Sequence, residues 1–136
     1  MWRGLDDRMF LAAELCNLGS LLLVLGELER SGALLIESLS ILAEMKSGIA
    51  DWPLTDLGVL ACARGRPVQA ARLLAGADAL RRPTGRGINQ VMRRAYDETV
   101  ALLRGQMGEA AFAAEWREGQ RLTLQEAVAL AMSDEP

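Results

Sequence analysis

The sequence predicts an all-α protein built from stacked helix hairpins, and two observations carry that prediction. Apolar residues make up 51% of the 136 positions, while aromatic residues make up only 4%. Most of the apolar residues are Ala and Leu, which favour helices over strands. The second observation is an internal repeat with a shift of about 39 residues, close to the period of helix-hairpin arrays. Its first copy holds Leu18-Gly19, Gly26 and Leu34-Leu35, and its second holds Leu57-Gly58, Gly65 and Leu73-Leu74.

The length, composition and net charge of the chain also bear on function. The length suits one domain, residues 1–136, with a hydrophobic core. Because the chain has no His and a net charge of −3, we expect no catalytic residues, no metal or cofactor, and no direct contact with nucleic acid. The longest apolar stretch spans about 12 residues, whereas a membrane helix needs roughly 20, so no membrane contact is expected. Two cysteines without a CxxC pair indicate a reduced, cytoplasmic setting.

The first predicted repeat unit covers residues 5–46. Its first helix runs over about 5–25, because leucines recur there at helical spacing, and Gly26 ends it. Its second helix runs over about 29–46, and Gly48 is expected to close it.

The second predicted unit covers residues 51–82. Asp51 is the expected N-cap of its first helix, with Pro53 in the first turn, and Gly65 ends that helix. The second helix of this unit begins at Pro67 and stops at an Arg-Arg-Pro sequence.

A loop over 83–87 leads to the third predicted unit, residues 88–120. Asn89 is the expected cap of a helix that ends at Gly105. A short helix bounded by two glycines follows and carries an aromatic pair on one side.

Thr123 and Glu126 form a capping-box pattern, which predicts a capping helix over 123–132, the seventh helix of the chain. The residues after it, 133–136, are expected to form a frayed tail.

Small residues recur where the two helices of a hairpin would cross. Gly19 and Gly58 are expected at one crossing, because a larger substituent at Cβ would force the backbones apart. Ser31 and Ala70 are expected at the next crossing. The residues expected to fill the space between hairpins are Leu35 and Leu74.

This order of Leu-Gly, Gly, small, Leu and small residues resembles the tetratricopeptide repeat, whose unit is about 34 residues long. The aromatic positions of that family are mostly held by Leu or Ala here, at Leu22, Leu28 and Ala61, and its repeat-ending Pro is absent. The extra residues would fall between hairpins, over 46–51. The resemblance implies a right-handed helical-hairpin solenoid with about three helix pairs and a capping helix.

Residues 64–81 and 108–131 resemble the last repeats of large bacterial signalling ATPases and transcriptional activators, including LuxR-type and SARP-like STAND regulators. That resemblance implies a regulatory, protein-binding array, which in the longer proteins follows a nucleotide-binding switch domain. The chain has no GxxxxGK(S/T) phosphate loop and no recognisable helix-turn-helix domain. The ATPase and DNA-binding activities of those proteins are therefore not carried over.

The repeat places the first helix of each unit along a groove that would hold a protein or peptide partner, such as an apolar helix. Asn17 and Asp56 occupy matching positions, where a polar side chain could hold a partner's backbone or only cap or solvate its own helix. The predicted groove residues are Asn17, Ser20, Leu23, Trp52, Asp56, Val59 and Cys62.

Arginines cluster near the start of the third unit. Arg86, Arg93 and Arg94 are candidates for contacting an anion, because the helix start at Asn89 lies close by in sequence. The alternative is a solvated loop with local salt bridges, which the acidic total and the scarcity of nearby aromatic residues favour.

These features favour a non-enzymatic interaction module in bacterial transcriptional or signalling regulation. The first helix is very apolar, so a homodimer through the N-terminal helices is also expected. Two alternatives stay open. One is a small-ligand sensor with a pocket lined by Trp52, Cys62 and Met92, and the other is a structural homo-oligomerisation unit.

Overall fold

The computed structural model describes residues 2–133, with only the backbone described at residues 2, 3, 5 and 6. Over these residues the chain forms seven α-helices and one 3-10 turn, with no strand, so the all-α prediction and the predicted helix count are confirmed. Of the tail predicted over 133–136, residues 134–136 lie outside the described part. The helices are α1 (Trp2–Val24), α2 (Leu28–Glu44), α3 (Asp51–Ala63), α4 (Pro67–Arg81), α5 (Gln90–Met107), α6 (Glu109–Gln120) and α7 (Leu124–Met132), and the 3-10 turn (Arg82–Thr84) follows α4.

Two hairpins, α1–α2 and α3–α4, make up the first part of the fold. Gly26 (φ +84°) and Gly65 (φ +76°) supply the left-handed residue after the first helix of each hairpin, as the repeat predicts. Leucines from these helices form a large part of the core, and those that are at most 1% exposed are Leu35, Leu39, Leu42, Leu54, Leu60, Leu73 and Leu74.

Two predicted helix ends are wrong. The second helix ends at Glu44, and the left-handed residue after it is Lys46 (φ +52°) rather than Gly48. The fifth helix continues through Gly105 and ends at Gly108 (φ +85°). A glycine does not by itself end a helix, because helical hydrogen bonding continues past it at a cost of about 1 kcal/mol.

The predicted glycine crossings are confirmed. A Cβ on Gly19 would lie 2.8 Å from Leu35 Cγ, and a Cβ on Gly58 would lie 2.7 Å from Leu74 Cγ. Ser31, which the sequence places at a separate crossing, lies at this one in the first hairpin, because its Oγ donates a hydrogen bond to Gly19 O (2.8 Å). In both hairpins a leucine therefore packs directly on the backbone of a glycine. The two copies of the internal repeat thus share this packing contact as well as their sequence pattern.

The third predicted unit departs from the pattern of the first two. Helix α6 packs mainly against α4, and a Cβ on Gly119 would come within 2.7 Å of Arg72 Cα and Ala75 Cβ. Helix α5 instead lies against α3, α4 and α6 and also reaches α1. As a result, α5 covers part of the side of α1 and α3 that the sequence assigns to an open groove.

The last helix, α7, begins as predicted. Thr123 Oγ1 accepts a hydrogen bond from the Glu126 N–H, and Glu126 Oε1 accepts one from the Thr123 N–H. Helix α7 packs against α2, α3 and α4. Its end is held by Gln69 of α4, whose Nε2 donates to Leu130 O (2.5 Å).

Candidate functional site

The predicted groove residues fall into different environments. Ser20, Trp52 and Asp56 line an enclosed cavity where α1, α3 and α5 meet, and Met92 of α5, which is 1% exposed, covers it. The cavity volume of about 10 Å³ is enough for about one water molecule. The structure therefore corrects the prediction for these three residues, because α5 occupies the side from which a partner would approach.

Asp56 is the chemically distinctive residue of this cavity. It is 3% exposed, and its Oδ2 accepts a hydrogen bond from Ser20 Oγ and lies 3.8 Å from the Cys16 thiol. Among the described residues, no cationic side chain forms an ion pair with it. Burial therefore raises the pKa of Asp56 to about 7, although the hydrogen bonds from Ser20 and Cys16 partly oppose the shift.

The same cluster offers little for nucleophilic catalysis. Burial and the nearby Asp56 charge raise the pKa of the Cys16 thiol well above its ordinary value. A thiol in this environment stays protonated at neutral pH and is a poor nucleophile. The Ser20 hydroxyl has one hydrogen, which can bond to Asp56 Oδ2 or to Cys16 O (2.9 Å), so the hydroxyl is engaged within the fold in either case.

Arg86 lies beside this cavity and links the loop before α5 to the start of α3. Its Nη2 donates to Gly48 O (2.7 Å) and to Asp51 Oδ1 (2.6 Å), and its guanidinium lies 5.8 Å from the centre of the Trp52 ring. Asp51 is not the N-cap that the sequence predicts, because Ala50 holds that position. Asp51 is instead the first helical residue and is 1% exposed. Arg86 thus binds an internal carboxylate rather than the external anion expected for it.

The other two candidate anion contacts are also paired with carboxylates. Arg93 Nε lies 3.3 Å from Asp97 Oδ2, and Arg94 Nε lies 2.8 Å from Glu98 Oε1. Both pairs join residues one helical turn apart on α5 and are exposed. The local salt bridges expected as the alternative are therefore present in the structure.

Two of the remaining groove residues, Leu23 and Val59, are each 7% exposed, and Cys62 is partly buried. Leu23, Val59 and Cys62 line two adjoining hollows of about 590 and 260 Å³, formed by the C-terminal halves of α1 and α3 and by one side of α5. Asn17 is exposed on α1 and lines neither hollow. We call these hollows the open groove; its other apolar residues include Val24, Leu28, Ala63, Val91, Ala95 and Leu102.

A second apolar surface runs along α1. It consists of Phe10, Leu11, Leu18, Leu21 and Leu25, whose exposed fractions range from 47% to 74%. Leu11, Leu18, Leu21 and Leu25 follow one another at spacings of seven, three and four residues, which place them on one side of the helix, and Phe10, eleven residues before Leu21, lies at the edge of that side. We call this surface the outer face.

The internal repeat shows what the outer face corresponds to elsewhere in the molecule. Leu57 and Leu60, the repeat equivalents of Leu18 and Leu21, are only 4% and 1% exposed. Leu60 packs against α2, because a Cβ on Gly32 of α2 would lie 3.2 Å from Leu60 Cδ2. The same repeat face is therefore buried against a preceding hairpin in α3 and exposed in α1.

A third hollow, of about 460 Å³, opens between α4, α5 and α6. Tyr96, Phe112 and Trp116 line it, and the ring centres of Phe112 and Trp116 are 5.4 Å apart. The Arg104 guanidinium lies 5.2 Å from the centre of the Phe112 ring. Arg117 also lines this hollow, and no ion pair involving it is formed within the described part of the chain.

Comparison of the chain with family models, with curated proteins and with solved structures finds no match. Among the residues whose side chains the structure describes, no three His, Cys, Asp or Glu are grouped so that they could hold a metal ion. The same residues form no helix whose length and apolar character would let it cross a membrane. The features of the chain that indicate a function are therefore its internal repeat and the surfaces described above.

Proposed function

We propose that this chain is a non-enzymatic protein-interaction module whose tetratricopeptide-like hairpins bind an apolar helix. The observation that carries the proposal is the contrast between two equivalent faces. Leu18 and Leu21 of α1 are exposed, whereas Leu57 and Leu60 of α3 are buried and Leu60 packs on Gly32 of α2. In this repeat the face is one that packs on a helix, so the outer face of α1 is suited to a further helix.

Burial of apolar area is the physical basis of the interaction. The outer face carries one Phe and four Leu side chains with a single carboxylate, Glu14, along its length. A matching partner is an amphipathic helix with apolar residues at i, i+3 or i+4, and i+7. Exposed apolar patches of more than a few hundred Å² are typical of interaction surfaces.

A role in bacterial transcriptional or signalling regulation is supported by the resemblance of residues 64–81 and 108–131 to the terminal repeats of such regulators. The two cysteines are both free, which fits a reducing, cytoplasmic setting. We therefore place the module in the cytoplasm, as an interaction part of a regulatory protein or assembly.

A labelled peptide with the sequence of α2, residues 28–44, tests the proposal, because α2 is the helix that covers the equivalent face of α3. We expect fluorescence anisotropy to report binding with a Kd on the order of 10 μM. Leu21→Glu should weaken binding roughly tenfold or more, because it replaces a contact worth about 1.4 kcal/mol or more with a buried charge.

Leu102→Glu is the matched control. Leu102 is 51% exposed, close to the 52% of Leu21, but it lies on α5 in the open groove. The proposal predicts that Leu102→Glu binds the peptide like the unmodified protein. Absence of binding to the unmodified protein, or an equal loss in both variants, would contradict it.

Ligand sensing is a second candidate function, for which we propose a different site. Trp52 and Met92 line the enclosed cavity while Cys62 lines the open groove, so the expected pocket does not form. The hollow between α4, α5 and α6 is ligand-sized and has aromatic walls, and the Arg117 guanidinium that lines it pairs with no carboxylate among the described residues. These features suit a planar aromatic carboxylate.

2-Naphthoate is a suitable probe for that hollow, with the uncharged 2-naphthamide as its control. Binding of the acid should raise the melting temperature and should be lost in Trp116→Leu. If the acid and the amide give the same shift, or neither gives one, the ligand-sensing function is contradicted.

A further inference from the structure

We infer that the outer face of α1 binds a second copy of this chain, with the two α1 helices antiparallel about a two-fold axis at Leu18. This inference rests on the proposed function, because it requires the outer face to be a helix-binding surface. It adds the identity of the partner and the register of the contact.

The register follows from the spacing of three leucines. Leu11 and Leu18 of α1 and Leu25, the residue after α1, are seven residues apart, or about two helical turns. The Leu25 N–H still bonds to Leu21 O (3.0 Å), so the three leucines lie in one row. The row is symmetric about Leu18. An antiparallel two-fold there places Leu18 against Leu18 of the second copy and Leu11 against Leu25, so every leucine of the row meets a leucine.

The direction of pairing follows from the charge on the same face. In a parallel pair, Glu14 would lie opposite Glu14 of the second copy, and like charges at such a contact are destabilising. In the antiparallel register the two Glu14 residues are separated by about 12 Å along the helix axis, from a rise of 1.5 Å per residue. The antiparallel arrangement also places the positive end of each helix dipole beside the negative end of the other, which is favourable.

The area indicates the strength of the dimer. The exposed fractions of the five apolar residues correspond to roughly 500 Å² per copy, or roughly 1,000 Å² in total, which is the lower end of specific interfaces. We therefore expect a reversible dimer with a dissociation constant on the order of 10 μM rather than a permanent one.

Cysteine cross-linking tests the register directly. In a Cys62→Ser background, where Cys16 is buried, mild oxidation of Leu18→Cys should give a disulfide-linked dimer. Leu11→Cys and Leu25→Cys should each stay largely monomeric alone but cross-link when mixed. Leu102→Cys, an equally exposed position on α5, should not cross-link beyond the background of random collision.

The possible outcomes distinguish a failure of the proposed dimer from a failure of the proposed helix-binding function. A monomer at all concentrations that still binds the α2 peptide would overturn the second copy as partner and leave the helix-binding function standing. A monomer that binds no peptide would overturn both. Cross-linking of Leu11→Cys to itself, with none in the mixture, would overturn the antiparallel register, and a dimer that persists in Leu18→Glu would overturn the outer face as the interface.

Discussion

Asp56 shows how the surroundings change the chemistry of one repeat position. Its equivalent in the first repeat, Asn17, is exposed on α1, whereas Asp56 is 3% exposed and hydrogen-bonded to Ser20 and Cys16. The sequence places both residues in matching positions but does not distinguish them, because the burial of Asp56 depends on α5. A carboxyl in this environment is costly to ionise, and that cost can be measured.

Asp56 should make stability depend on pH. Its folded-state pKa of about 7 is above its ordinary value of 3.8, so the folded protein holds this proton over a range in which the unfolded chain has lost it. The free energy of unfolding contributed by this group should therefore fall as pH rises from about 4 to about 7 and stay level above that. Asp56→Asn should remove this dependence and stabilise the protein at pH 8 by roughly 1–3 kcal/mol.

Urea unfolding at pH 5 and pH 8 provides the measurement. Asp7→Asn is the control, because Asp7 is exposed and the variant should keep the pH dependence of the unmodified protein. A pH dependence in Asp56→Asn that matches the unmodified protein would contradict the assignment.

Arg86 is expected to contribute more to stability than its neighbours in sequence. It donates to Asp51, which is 1% exposed, and the other cation near Asp51 is Arg81, at 4.0 Å. Arg86→Gln should therefore lower the free energy of unfolding by roughly 2–4 kcal/mol, because a buried carboxylate loses its closest charged partner. Arg94→Gln breaks an exposed pair and should cost less than about 1 kcal/mol. If both variants lower the stability equally in thermal unfolding, the larger contribution expected of Arg86 is contradicted.

Among the helices, those formed by local patterns were predictable and the placement of α5 was not. Gly19 and Gly58 predict the crossing in both hairpins, because hairpin packing depends on residues close in sequence. Leu35 and Leu74, expected between hairpins, instead pack on these glycines within each hairpin. The contacts that place α5, such as Met92 beside Ser20, join residues far apart in the chain. The pairing of Arg86 with Asp51 is equally non-local, so the sequence indicates Arg86 as a candidate anion contact but does not identify Asp51 as its partner.

The packing of α6 on α4 should depend on Gly119. A Cβ there would come within 2.7 Å of Arg72 Cα, and a backbone atom cannot move aside as a side chain can. Gly119→Ala should lower the free energy of unfolding by roughly 1–3 kcal/mol in urea titrations. Gly105→Ala is the matched control: Gly105 is exposed within α5 with open space around it, so the change should stabilise by roughly 0.5–1 kcal/mol. Destabilisation by both changes would contradict this account of α6.

Taken as a whole, the molecule has an asymmetric apolar surface. The inner side of the first hairpins, which the repeat assigns to a partner, is partly covered by α5, and the open groove remains beside it. The outer face of α1 has no covering helix among the described residues and exposes Leu18 and Leu21. The sequence indicates this surface only as an unusually apolar first helix, because exposure depends on which helices lie next to α1.

Leucine methyl NMR spectra test the central claim that the outer face binds a helix. They would be recorded with the α2 peptide and over protein concentrations from about 10 μM to 1 mM, which span the expected dissociation constant. We predict progressive shifts at Leu11, Leu18, Leu21 and Leu25, with Leu102 unchanged. Shifts confined to Leu23 and Leu102 would place binding in the open groove instead, and spectra that change at no leucine would contradict a helix-binding function.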